Sequence, residues 1–187
     1  MKRTRIRCGL AATAMGAVAL GLIGGSPATA GPNAGAAKAP ATIIGKFNGK
    51  RLVFAAPKEV VAGQPLKIVN RTKPRKFGPH TFSLAEESLI PGTRREGEKC
   101  FSPGRICLDI AAAHEFNEKT GKVNRPVVRA GKSGWNRVFT RNAKGDSWYT
   151  EKLGASFSQK VTAAAGTTLY YVCAIHPEMQ GKIDVVE

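Results

Sequence analysis

Tyr170-Tyr171-Val172-Cys173-Ala174-Ile175-His176-Pro177-Glu178-Met179 places three soft donors within seven residues, close to the end of the chain. The spacing is Cys-x-x-His-x-x-Met. The residues before Cys173 are aromatic and β-branched, as in a strand, and Lys182-Ile183-Asp184-Val185-Val186 reads as a second strand. A loop hung between two strands has both ends fixed by the sheet, which is what converging ligands require.

Thiolate, imidazole and thioether together suit copper better than zinc, and a set of two His, one Cys and a weak axial Met suits a single copper ion. Such a set leaves this loop one imidazole short. The chain holds three histidines. His80 lies in Gly78-Pro79-His80-Thr81-Phe82-Ser83-Leu84, where strand alternation puts His80, Phe82 and Leu84 on one face. His114 lies in Ile110-Ala111-Ala112-Ala113-His114-Glu115-Phe116-Asn117-Glu118, which reads as a short helix ending near Gly121. There it is expected to be an exposed polar residue. A histidine on an apolar strand face is ordinarily a satisfied core residue, and the incomplete loop is what selects His80 as the second imidazole.

Residues 1–30 read as a signal peptide. Lys2, Arg3, Arg5 and Arg7 precede an apolar stretch over 10–23, and Ala28-Thr29-Ala30 is a cleavage site. The apolar stretch is short and broken by Gly, and no second one follows, so the mature chain is expected to be exported, to the periplasm or outside the cell, with no transmembrane segment. Removing four charges takes the formal net charge from +16 to +12. In an oxidising compartment Cys100 and Cys107, spaced around a Pro-Gly turn, are expected to form a disulfide. Cys173 is then odd. An unpaired cysteine in an exported protein requires a reason such as reactivity, an intermolecular bridge or a metal. Met1 and Met15 fall within the signal, so Met179 is the single methionine of the mature chain.

The remaining pattern is all-β. Residues 31–41, rich in Gly, Ala and Pro, read as a flexible leader to a domain over 42–187. Thr42-Ile43-Ile44, Arg51-Leu52-Val53-Phe54, Glu59-Val60-Val61 and Leu66-Lys67-Ile68-Val69-Asn70 are short strand pieces divided by Asn48-Gly49, Pro57 and an Ala62-Gly63-Gln64-Pro65 turn. Ser156-Phe157-Ser158-Gln159-Lys160-Val161-Thr162 alternates again. Between them, about 86–150 forms a polar, partly helical insertion, with one or two strands expected in 135–148. A structureless loop of that length is uncommon in a compact domain, so the insertion is expected to be ordered.

Assembled, Gly78-Pro79-His80-Thr81-Phe82 and 171–183, from Tyr171 through Gly181-Lys182-Ile183, resemble the cupredoxins, most of all the amicyanin and plastocyanin-like branch. The resemblance covers about 42–84 and 147–187. It implies a Greek-key β-sandwich with one type 1 copper ion, held by His80, Cys173, His176 and Met179. The implied role is carrying single electrons without catalysis on a bound substrate. It implies an electron exit at the loop histidine, flanked by Ile175 and Pro177, and a loop histidine able to protonate in the reduced state. Many members carry Asn after the first histidine, where this chain has Thr81, so the bracing of the loop is expected to differ.

Other classes fit less well. A structural zinc site wants four Cys or His ligands, a dinuclear copper centre a second loop cysteine, and a multicopper oxidase many more histidines. Nothing besides Cys173 and His176 supports a thiol hydrolase, so the chain is read as not an enzyme. The basic balance favours an acidic redox partner, and no nucleic-acid module is present. The chain is expected to be monomeric. Two alternatives share these residues: a protein that stores or delivers copper, and a basic interaction module without metal.

Overall fold

The computed structural model describes residues 38–187. The signal-peptide reading and most of the leader lie outside them. In chain order the strands are β1 (Ala41–Phe47), β2 (Leu52–Ala55), β3 (Glu59–Val61), β4 (Pro65–Asn70), β5 (His80–Leu84) and β6 (Phe116–Asn117). They continue as β7 (Lys122–Val123), β8 (Val127–Val128), β9 (Ser147–Thr150), β10 (Ser156–Lys160), β11 (Thr168–Val172) and β12 (Gln180–Val186). Four short helices interrupt them: α1 (Pro74–Phe77), α2 (Arg94–Glu98), α3 (Ile106–Ala113) and α4 (Ala130–Ser133).

One sheet runs β10-β4-β1-β2 and the other β3-β12-β11-β5-β9-β8, while β6 and β7 form a separate ribbon. The chain changes sheet after β2, β3, β4, β9 and β10, which weaves the two sheets into a Greek-key sandwich instead of a meander. Two pairings are parallel, β1 with β4 and β3 with β12. Alternation in the sequence becomes alternation in burial, so that β4 hides Leu66 and Ile68 while Lys67 and Val69 remain partly exposed. Ile43, Leu66 and Ile68 meet Phe82, Leu169, Ile183 and Val185 across the sandwich. Phe82 is the hub, with its ring edge-on to Phe54 and Trp135 and tilted on Tyr171. Gly181 stands opposite Tyr171 on β12, and a Cβ there would sit 2.5 Å from the tyrosine hydroxyl. Only glycine lets that ring lie over the strand.

All five residues of β5 are buried, not alternate ones. The insertion causes this. Its segments build a second apolar cluster in which Ile106, Cys107, Ile110, Ala113, Val128 and Phe139 pack with Ala85, Val172 and Ala174 of the sandwich. Its last strand, β9, pairs with β5 and sets Thr150 opposite His80. Cys100 and Cys107 are joined by a disulfide, which ties the end of α2 to the first turn of α3.

The insertion departs from the sequence reading in two places. The helix lies at Ile106–Ala113, earlier than expected, and it stops because Glu115 takes a left-handed φ of 54°. Phe116 and Asn117 instead turn back through Gly121 as the β6–β7 ribbon, with the Asn117 side chain accepting from the Lys119 and Thr120 amides. Within 135–148 only the start of β9 is strand. Trp135 and Phe139 make isolated bridges, and the buried Asp146 carboxylate accepts from the Asn136 and Arg137 amides. Among the described residues no helix is long and apolar enough to cross a membrane.

Candidate metal centre

Cys173 directly follows β11, and the loop after it is pinched at its base. The Cys173 amide donates to the Met179 carbonyl at 2.9 Å, and the Met179 amide to the His176 carbonyl at 2.8 Å. These bonds keep both sulfur residues at the bottom of the loop. Each is fully buried, in a small cluster with Leu52 against which Phe54, Phe77 and Ile175 pack. His80 opens β5, the neighbour of β11 in the sheet. Its Nδ1 lies 3.9 Å from Cys173 Sγ, and so does Nδ1 of His176. The three donor atoms all fall within 4.8 Å of one another, and the imidazole centroids are 4.7 Å apart.

That geometry can be tested against an ion. Ligand bonds of about 2.0 Å to nitrogen and about 2.3 Å to sulfur, at trigonal angles, separate N and S by about 3.7 Å. The observed 3.9 Å needs only a small contraction. Two imidazoles, a thiolate and a buried thioether fit a single type 1 copper ion.

The hydrogen bonds around His80 fix its tautomer. Asn70 Nδ2 donates to the Lys152 carbonyl, which leaves Oδ1 to accept from the Thr72 amide at 2.9 Å and the Thr72 hydroxyl at 2.7 Å. Thr72 has then used its only proton. Its oxygen, 2.7 Å from His80 Nε2, must accept, so Nε2 carries the hydrogen and Nδ1 presents a lone pair toward Cys173. Burial, with the nearby His176 adding to it, lowers the His80 pKa to about 4, so the ring is neutral at physiological pH.

Burial also lowers the pKa of His176, partly opposed by Glu178 and the Phe77 backbone, and His176 remains half-buried between Ile175 and Pro177. The Cys173 thiol is pushed up by burial against several hydrogen bonds, the Thr81 amide at 3.3 Å among them. Holding a metal would require that proton to leave. Thr81 supplies the bracing, because its hydroxyl accepts the Ala174 amide at 2.8 Å.

His114 is not brought to this cluster and is not exposed. It is 1% accessible, at the C-terminus of α3, and bonds to the Arg125 carbonyl and the Ser147 hydroxyl. Its burial leaves no local trace in the sequence, because it depends on segments that fold back from further along the chain. Asn70 and Thr72 also belong to the site, and their local signal is an Asn at a strand end with Thr two residues later, a side-chain turn pattern.

Auracyanin A, a "blue" copper protein from Chloroflexus aurantiacus, is 21% identical, covering 79% of this chain and 99% of its own, with a TM-score of 0.39. The two woven sheets are the Greek-key sandwich that the cupredoxin resemblance implies. Rusticyanin from Thiobacillus ferrooxidans is 18% identical, covering 80% of this chain and 78% of its own, with a TM-score of 0.37. A copper-containing nitrite reductase from Thermus scotoductus SA-01 is 16% identical, covering 80% of this chain and 23% of its own, with a TM-score of 0.38. No family model matches the chain. No curated protein matches it.

Proposed function

We propose that this protein is an exported carrier of single electrons built on one copper ion held by His80, Cys173, His176 and Met179. The observation that carries the reading is the pair of imidazole Nδ1 atoms, each 3.9 Å from one buried cysteine sulfur. A bound copper ion supplies a one-electron couple between its two common oxidation states. The protein's part is to hold the donors still. His80 is locked from behind by Thr72 and Asn70, and Cys173 is gripped by Thr81 and the loop's own backbone. Donors held on a strand and in a loop pinned between two strands move little when the charge of the site changes, which keeps the reorganisation cost of electron transfer small. Ile175 and Pro177 give His176 an apolar collar, a low-polarity exit toward a partner. The excess of positive charge favours an acidic redox partner.

The test is a visible and electron paramagnetic resonance spectrum of the copper-treated mature protein. The reading expects a strong thiolate-to-copper band that vanishes in Cys173→Ala. A colourless wild type that refuses copper would sink it. Rapid loss of copper(I) to a chelator of moderate affinity would instead favour storage or delivery, although a site this enclosed argues for retention.

A further inference from the structure

We propose that the end of the sandwich beside His176 docks the acidic face of a redox protein, with Phe47 and Phe77 as its apolar floor and the cations of two separate loops as its rim. This deepens the electron-carrier reading and rests on it.

The end of β1 carries Lys46, the turn after it carries Lys50 and Arg51, and the segment around α1 carries Lys73, Arg75 and Lys76. In the sequence these groups are some two dozen residues apart and look scattered. The fold joins them. Parallel pairing of β1 with β4 brings the two loops to one end, where the Arg71 amide donates to the Gly45 carbonyl at 2.8 Å. Phe47 then stacks on Phe77 with centroids 5.1 Å apart, and Lys76 Nζ lies 5.2 Å from the Phe77 centroid and 5.8 Å from that of Phe47.

All six cations are exposed, and none has an ion-pair partner among the described residues. No Asp or Glu occurs in 41–58 or in 60–85, so neither loop carries an acid of its own. Phe47 is 42% accessible, an aromatic left open to solvent at a place where it already has a stacking partner. An exposed aromatic floor within a charged rim is the anatomy of a protein interface. The floor also reaches the metal centre, since Phe77 packs on the Cys173 and Met179 cluster and its backbone faces His176. On the other side of the loop the signs are mixed. A groove of about 860 Å³ there is lined by Arg94, Glu98, Pro177 and Glu178, with Arg94 paired to Glu98, and Arg51 stands at the border between that groove and the basic rim. The one-signed field therefore lies on the Phe77 side of the exit, and it selects an acidic partner surface there.

The probe is cytochrome c with its lysines succinylated, an acidic one-electron donor. Its ferrous haem gives up one electron and the copper(II) protein gains it. Titrating this probe into the copper(I)-loaded protein should shift amide resonances of 46–51, 73–77 and 175–177. At low salt, Lys73→Glu with Arg75→Glu and Lys76→Glu should slow electron transfer about tenfold. Lys119→Glu with Lys122→Glu and Lys132→Glu, on the insertion, should change it less than about twofold. Phe47→Ala is the milder second variant and should weaken binding without touching the charge. Equal slowing by the two charge reversals, or shifts confined to the insertion, would overturn the proposal. So would patch residues that respond to duplex DNA or phosphatidylglycerol vesicles but not to the acidic cytochrome. A missing thiolate band in the wild type would count against the copper reading instead, and the amide titration on the metal-free chain would still report the surface.

Discussion

Thr81 grips the Cys173 loop twice: its amide donates to Cys173 Sγ at 3.3 Å, and its hydroxyl accepts the Ala174 amide at 2.8 Å. Both partners are buried, so neither bond can be replaced by water. Thr81→Val keeps the shape and the first bond but leaves the Ala174 amide without an acceptor. An orphaned buried donor costs about 1–3 kcal/mol. Urea unfolding of the metal-free variant should show a loss of that size, and the copper-loaded variant a broadened thiolate band. An unchanged midpoint would mean that Ala174 finds another acceptor.

Thr72 acts on His80 from the opposite side. Thr72→Val removes the acceptor of Nε2–H and frees Asn70 Oδ1 from the hydroxyl. The ring then has no reason to keep its hydrogen on Nε2. Nitrogen-15 imidazole shifts of the metal-free variant should show a mixture of tautomers where the wild type shows one. Copper affinity should fall about 10–100-fold, the usual cost of losing a hydrogen bond behind a metal-binding histidine. A single unchanged tautomer would show that β5 alone orients the ring.

What the sequence disclosed, and what it concealed, divides along contact range. Cys173, His176 and Met179 share one loop, so their spacing is visible without any fold. The strands of the sandwich announce themselves through alternation, because period two is local. His80 is singled out by an incomplete loop, a place on an apolar strand face and the small number of histidines. Bonds between distant segments left no local trace: Asn70 to Lys152, His114 to Ser147, and the stacking of Phe47 on Phe77. The same is true of the basic patch, whose two halves are adjacent only because β1 and β4 pair in parallel. The complete burial of β5 could not be read from its own five residues, because the insertion that covers it follows later in the chain.

The disulfide belongs to the insertion and not to the metal centre. Cys100 and Cys107 enclose a short loop, for which chain-entropy reasoning gives about 2–3 kcal/mol of stabilisation. Replacing both by Ala should speed hydrogen exchange in α3 while leaving the thiolate-to-copper band in place. Loss of the band would mean that the insertion's cluster with Val172 and Ala174 helps to shape the ligand loop itself.

His114 should make the insertion acid-sensitive. Its Nδ1 lies 2.6 Å from the Arg125 carbonyl, which only accepts, so that nitrogen carries the hydrogen. Nε2 therefore accepts from Ser147, whose oxygen lies 2.6 Å from the Ser83 hydroxyl on β5. A proton on Nε2 would force the Ser147 hydroxyl to turn its hydrogen toward Ser83 and would put a charge where there is almost no solvent. Burial accordingly holds the pKa of His114 below the ordinary value, the Arg125 carbonyl opposing it in part. The unfolded chain takes up its proton near pH 6.5, while the folded chain does so only at lower pH. Stability from this site is thus complete above about pH 6.5, falls as the pH drops toward the folded pKa, and then levels off. His80 and His176 have lowered values too and add to the same trend in the metal-free protein, so the test is a difference. His114→Gln can donate to Arg125 and accept from Ser147 without titrating. Between about pH 7.5 and about pH 5.5 the wild-type urea midpoint should fall more steeply than the variant's. Amides of α3 and β8 should lose exchange protection before those of β4 and β11, because the insertion has its own apolar cluster. Parallel slopes in the two proteins would show that His114 is not the titrating clamp.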